Sequence, residues 1–254
     1  MNVESEIKVR ERSFHDDRFS NVRDPREKLT KYYSITTDSK NCYRQLIESH
    51  LTKNSNVLEY GCGTADDVEF YKALGCHYYG IDISSEAIRR AEERAKANGL
   101  LAKYFVGDAE NTNFEPNSFD VVFGSGILHH LNLGNSIKEL SRILDRKGRC
   151  VFLEPLGHNL IINLFRYFTP KSRSADEHPL VDKDVEAMKI YFRKVDVTYF
   201  YCFSLGAVLF RNSSLFGKVY GGLSAIDKYL MKRFSWFGKY CWICVICLSE
   251  PRKA

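Results

Sequence analysis

Residues 56–66 read NVLEYGCGTAD. The largely apolar run Asn56–Tyr60 stops at Gly61-Cys62-Gly63, the pattern of a short buried strand ending in a tight turn. Glycines at 61 and 63 permit that turn and let a ligand approach the backbone closely. From here the chain alternates. Val68–Leu74 reads as a helix closed by Gly75, and His77–Ile83 as a second strand. Glu86–Asn98 is a helix capped by Ser84 or Ser85 and stopped by Gly99. Ala102–Val106 is a third strand. Phe119–Phe123 is a fourth, preceded by the turn-forming Pro116-Asn117-Ser118. Ser136–Asp145 carries Ile137, Leu140, Ile143 and Leu144 at helical spacing, and Arg149–Leu153 is a fifth strand. Strand–helix alternation of this kind implies βαβ units, hence a parallel sheet covered on both faces.

Outside this stretch the pattern weakens. Residues 1–30 are polar and charge-dense with little period, and read as a mobile or lid-forming arm. In Cys42–Leu51, Leu46, Ile47 and Leu51 share a helical face. After Pro155, Val195–Phe203 and Tyr240–Leu248 read as two later strands separated by an insertion rich in tyrosine and phenylalanine. The expected fold is therefore α/β, a doubly wound, mostly parallel seven-stranded sheet with helices on both faces.

Composition narrows the function classes. With 254 residues, 44% hydrophobic and 27% charged, the chain is neither disordered nor fibrous. A net charge of +5 is too small to demand a nucleic-acid partner; no DNA partner is expected and RNA is disfavoured. The charge is uneven, with 7 basic and 13 acidic side chains in residues 57–141 against 19 and 10 in residues 142–254. The basic last third suits an anionic substrate or surface. The first twenty residues contain no apolar signal core. The longest uncharged apolar stretch, Val197–Phe210, is shorter than the ~20 residues a spanning helix needs, which leaves peripheral membrane contact as the open possibility. Eight scattered cysteines without a secretory context are expected to be reduced, in the cytoplasm.

In an open α/β sheet, ligands bind at the carboxyl ends of the strands, where strand order reverses. Position 66, where a dinucleotide fingerprint wants a third glycine, is Asp66, whose charge would repel a pyrophosphate. Asp82, about twenty positions beyond Gly61, is placed to accept both hydroxyls of a ribose. Gly107-Asp108-Ala109-Glu110 follows the third strand, and Asp108 can accept from an adenine amino group.

Taken together, LEYGCGTA, GIDIS, GDAE, FDVVFGSGILHHL and ELSRILDRKGRCVFLEP resemble, in order and spacing, the class I S-adenosylmethionine-dependent methyltransferases over about residues 40–155. Their small-molecule and quinone-type branch is the most similar. The resemblance implies a Rossmann-like core at 41–155, an arm or lid at 1–40, and a segment at 156–254 that completes the sheet and carries the acceptor-site insertion, all in one structural domain. It implies that Glu59, Gly61 and Gly63 line the methionine end of S-adenosylmethionine, Asp82 with Ile83 the ribose, and Asp108 with Ala109 the adenine, with Gly124 and Ser125 under the sulfonium. The family commonly has glycine where this chain has Ala65.

A sulfonium methyl is already electrophilic, so alignment supplies most of the catalysis. A hydroxyl or protonated amine nucleophile also needs a base. His129, just past the fourth strand, and His158, past the fifth, are the candidate catalytic groups. His130, Glu154, Asn159, His178 and Tyr33 are candidate acceptor contacts. Phe14, His15, Tyr32 and Tyr33 are expected to close over the cofactor. The implied activity is methylation of a small acceptor, possible forms being apolar or anionic, with oxygen favoured as the methylated atom. The alternatives are a wobble-uridine tRNA methyltransferase, since those enzymes share a similar His-His-Leu, and a non-catalytic binding protein on the same fold. No metal is expected: Asp176, Glu177, His178 and His158 match no ligand spacing. Cys241, Cys244 and Cys247 lie in apolar sequence; on a strand Cys241 and Cys247 would face one side and Cys244 the other, so they are expected to be buried core.

Overall fold

The computed structural model describes residues 3–20, 35–169, 174 and 176–253. A seven-stranded sheet runs β3-β2-β1-β4-β5-β7-β6. Its strands are β1 (Asn56–Tyr60), β2 (His77–Asp82), β3 (Ala102–Val106), β4 (Phe119–Ser125), β5 (Leu144–Pro155), β6 (Phe192–Phe200) and β7 (Ile243–Pro251). The first five pair in parallel, and β7 is antiparallel to both β5 and β6. β1 has β2 on one side and β4 on the other. Strand order reverses there, so the crevice opens at the end of β1.

The helices are α1 (Val3–Ser20), α2 (Thr37–Glu48), α3 (Val68–Leu74), α4 (Ser85–Ala97), α5 (Leu133–Ile143), α6 (Leu160–Phe168), α7 (Asp182–Met188) and α8 (Phe216–Arg233). The period-two alternation of the strands distributes the core over both faces. Leu58, Tyr60, Val122 and Phe152 pack with Ile137, Leu140 and Ile143 of α5 on one face. Val57, Val121, Phe123 and Val151 pack with Tyr43 and Ile47 of α2 on the other. Each such fully buried side chain contributes about 1.5–3 kcal/mol, and together they hold the strand ends that carry the site.

Several elements differ from the sequence reading. The arm is not without structure: it contains an 18-residue helix, α1. Its apolar period is weak because polar contacts dock it. Lys8 Nζ donates to Asp108 Oδ2 at 2.7 Å. Arg10 makes two 3.0 Å bonds to Asp176. Asp16 accepts from the Ser84 hydroxyl at 2.5 Å, at the start of α4. Tyr32 and Tyr33 lie outside the described residues.

β5 begins at Leu144 rather than Arg149, so Leu144 and Asp145 belong to the strand and not to the preceding helix. β6 ends at Phe200 rather than Phe203, and Phe203–Phe210 is a 3₁₀ helix. Asp227 of α8, buried, caps it by accepting from the backbone N–H groups of Cys202, Phe203 and Ser204. The aromatic insertion is thus helical. All three late cysteines are buried. Cys241, however, precedes β7 and shares a core face with Cys244, while Cys247 faces the other.

Candidate active site

The turn after β1 is held by Gly61 N–H and Cys62 N–H, both donating to the Ile81 carbonyl at 2.9 and 3.0 Å. Gly61 has φ +73°, and a Cβ there would stand 2.6 Å from Ile127; only glycine fits. Ala65, where glycine is the common residue of the resembling family, also adopts a left-handed conformation, φ +50°. Its methyl is fully buried, so the burial offsets a strain on the order of 1–2 kcal/mol.

This turn forms one wall of a cavity of about 950 Å³ lined by Glu59, Gly61, Gly63, Asp82, Ile83, Asp108, Ala109 and Ser125. Eight of the nine residues expected to hold the cofactor therefore converge. Gly124 does not line the cavity; a Cβ there would lie 2.6 Å from the Tyr60 carbonyl, so it permits close strand packing instead.

Asp82 accepts from Gly63 N–H at 2.8 Å and from Ser84 N–H at 2.9 Å, which fixes the carboxylate at the mouth of β2. Burial pushes its pKa up, against those two hydrogen bonds. Glu59 is pushed further, to about 8, by burial. It is clasped by two phenols: Tyr71 donates to Oε1 at 2.6 Å and Tyr78 to Oε2. Asp108 accepts from Glu110 N–H at 2.9 Å and from Lys8.

A second cavity, about 660 Å³, adjoins the first. Ile161, Ile162, Phe165, Leu205, Val208 and Trp242 make it mostly apolar. Both cavities are lined by Ser125, Gly126, His130 and Leu153, and by His15 and Lys40 from α1 and α2. His129 and Glu154 line the second. Glu154, 1% exposed, accepts from Ile127 N–H and Leu128 N–H, each at 2.9 Å. Its other oxygen lies 2.7 Å from His129 Nδ1. An ionised carboxylate can only accept, so a neutral ring keeps its proton on Nδ1 and turns Nε2 out as an acceptor. That is the arrangement of an oriented base. Burial lowers the pKa of the neighbouring His130, although Glu11 raises it.

Other expected contacts are placed elsewhere. His158 lines neither cavity and has its ring centroid 6.3 Å from that of Tyr240. Asn159 is consumed in structure: it caps α6 by accepting from Ile162 N–H at 3.0 Å, and its amide donates to the Tyr240 carbonyl at 2.8 Å. His178 is 61% exposed beside Asp184. Tyr33 lies outside the described residues. His15, expected to close over the cofactor, lines the first cavity together with Lys8, Glu11, Arg18 and Phe19 of α1, which were not singled out, whereas Phe14 does not line it.

Residues 58–152 match the methyltransferase domain family. The chain is 34% identical over 118 residues to a ubiquinone biosynthesis O-methyltransferase of Paraburkholderia xenovorans, covering 46% of this chain and 50% of the relative. It is 31% identical over 145 residues to a demethylmenaquinone methyltransferase of Thermotoga maritima, covering 56% and 61%. The chain thus spans about half to three fifths of the length of these curated relatives. The fold as a whole is similar to that of geranyl diphosphate C-methyltransferase from Streptomyces coelicolor, with TM-score 0.63, 10% identity, and coverage of 96% of this chain and 98% of that one.

Proposed function

We propose that the protein transfers the methyl group of S-adenosylmethionine to an oxygen of a small organic acceptor with an apolar body, and that His129 takes the acceptor's proton. One observation carries this reading: a cavity between the carboxylates of Asp82 and Asp108 shares a wall with a more apolar cavity containing the His129–Glu154 pair. The first cavity fits the cofactor. Two strand-end carboxylates face it, a side chain at Gly61 would be excluded, and Glu59 stands at the methionine end. When bound, the cofactor supplies a methyl group on a sulfonium. The chain's own residues align the acceptor, exclude water and accept a proton at His129 Nε2. Incubation with labelled S-adenosylmethionine and a panel of hydroxylated, amino and carbon acid acceptors of apolar body should give methylated hydroxyl products. Label transfer only to nitrogen or carbon would overturn the choice of oxygen, and no transfer to any acceptor would favour a binding protein. We place this activity in the cytoplasm, in keeping with eight free cysteines.

Glu59 gives a pH signature. Its folded-state pKa of about 8 lies above the ordinary 4.5, so the folded protein holds an extra proton between those values. The associated stability is full below about 4.5 and is lost as pH rises through about 8. Cationic groups of the cofactor favour the ionised carboxylate. Binding at pH 7 should therefore release up to about one proton, measured by calorimetry in buffers of different ionisation enthalpy. Glu59→Gln should abolish the release. Equal heats in all buffers for the unaltered protein would remove Glu59 from the cofactor site.

α1 is proposed as the lid. It ties to the adenine-end loop through Lys8 and to the start of α4 through Asp16, and a helix held by surface polar contacts opens more easily than one held by core. S-adenosylhomocysteine should slow amide exchange across residues 6–20 by about tenfold or more, beyond any change in the core strands. Identical exchange with and without ligand would show that α1 does not close on it.

The acceptor's apolar body has a route to a membrane surface. Leu160, Ile161, Leu164, Tyr167 and Phe168 of α6 are 60–81% exposed, and Leu209 is 84% exposed. Ile161 and Leu209 also line the apolar cavity, with Arg18, Lys40 and Arg166 beside them. Among the described residues no helix is long and apolar enough to cross a membrane. Such a patch with basic neighbours suits adsorption to anionic lipid. Sedimentation with phosphatidylglycerol vesicles should fall on adding salt and in Leu160→Ser/Leu164→Ser. Equal sedimentation with neutral vesicles, or none with either, would contradict it.

A further inference from the structure

We propose that Glu11, His15 and His130 bind a divalent transition-metal ion of the zinc class where the two cavities meet. Glu11 and His15 stand four residues apart on α1 and so share a helix face. His130 comes from the 3₁₀ turn after β4. Glu11 Oε2 lies 3.3 Å from His130 Nδ1 and 3.5 Å from His15 Nε2, and the three ligand atoms all lie within 4.8 Å of one another. Charge-assisted hydrogen bonds would draw such pairs to about 2.7–2.9 Å. A tetrahedral ion with ligands at about 2.0–2.2 Å instead sets them about 3.3–3.5 Å apart. The two Glu11 separations, 3.3 and 3.5 Å, match that ligand spacing.

Glu11 supplies the second, independent observation. The residue is 5% exposed, and neither carboxylate oxygen makes a hydrogen bond among the described residues. A buried carboxylate in that condition is costly unless a cation satisfies it. The Ser174 hydroxyl shares a 3.3 Å hydrogen bond with His130 Nδ1, a contact the ion would replace.

His130 also belongs to a neighbouring group with His129 and Glu177. There the recorded approach is His129 Nε2 to Glu177 Oε1 at 3.9 Å, and His129 Nδ1 is already engaged by Glu154. The ion is therefore assigned to Glu11, His15 and His130. Three protein ligands leave a coordination position open. Facing the seam, that position would hold an oxygen of the acceptor; this last role rests on the methyl-transfer reading, whereas the ion itself does not. The ion would also tie α1 to the core, coupling lid closure to metal content.

The test uses the full chain, stripped with a chelator, dialysed and titrated with Zn²⁺ by calorimetry, with metal content measured after gel filtration. One equivalent per chain is expected. Glu11→Gln and His15→Ala should each weaken binding by ~100-fold or more, at or beyond the upper end of the loss from disturbing a ligand's supporting contact, while Glu177→Gln retains it. Co²⁺ in place of Zn²⁺ gives visible absorption that should vanish in Glu11→Gln. The far-ultraviolet circular dichroism of each variant checks its fold, and the conservative Glu11→Asp should recover part of the affinity. Absence of stoichiometric Zn²⁺ in the unaltered protein would overturn the site. So would full retention in Glu11→Gln and His15→Ala, or loss in Glu177→Gln alone. Because these readouts need no substrate, they can fail while methyl transfer is demonstrated, and the reverse.

Discussion

His129→Ala should lower turnover by ~10²–10⁴ on the acceptor that is found, with S-adenosylmethionine affinity nearly unchanged, the usual loss on removing a general base. Geometry sets this expectation. The ring lines the apolar cavity rather than the cofactor cavity, and its Nδ1 side is held at 2.7 Å by a carboxylate that is itself fixed by two backbone N–H groups. Glu154→Gln keeps the shape but replaces the obligate acceptor with an amide that can also donate, so it should lower turnover through the wrong tautomer and alter the pH profile. His158→Ala is the control. Its ring sits beside Tyr240 outside both cavities, and both kinetic constants should remain those of the unaltered protein. Full activity of His129→Ala across a pH series would show that the acceptor needs no base there.

Asp82→Ala should weaken S-adenosylmethionine binding by ~10–100-fold, the loss expected for hydrogen bonds to a charged group. Part of the effect is indirect. The carboxylate also holds Gly63 N–H and Ser84 N–H at 2.8 and 2.9 Å, so its removal loosens the turn and the start of α4. Asp82→Asn retains one oxygen acceptor and should fall between the two. Calorimetry gives the affinities, and thermal unfolding without ligand separates the loosened turn from the lost ribose contact. An unchanged dissociation constant in folded Asp82→Ala would remove Asp82 from the site.

The sheet was legible because its strands are short apolar runs bounded by glycine turns and capped helices. Burial of both faces makes that pattern local, so β1 through β4 can be read from residues near one another in sequence. The carboxylates at 82 and 108 were legible for the same reason: each marks the polar end of an apolar strand. α1 was not. Its helix has no apolar stripe, and its docking depends on Asp108, Asp176 and Ser84, partners that come near it only in the folded chain. A signal did exist in Glu11 and His15, spaced four apart as helical ligand pairs are, but it has meaning only once residues 3–20 are known to be helical.

The acceptor side divides in the same manner. His129 and Glu154 sit at the ends of adjacent parallel strands and meet as strand topology requires. His158 and Asn159 follow Glu154 closely, yet Leu156 turns into an isolated bridge with Leu180 and Asn159 caps α6. The chain thereby leaves the crevice before either side chain can face it. Proximity to a strand end in sequence does not survive an intervening bridge.

A crystal structure of the complex with S-adenosylhomocysteine tests the central claim most directly. The adenosyl group should lie between Asp82 and Asp108, with the sulfur at Ser125–Gly126 facing the apolar cavity and His129. A ligand bound outside that crevice, or a sulfur walled off from the apolar cavity, would contradict the account.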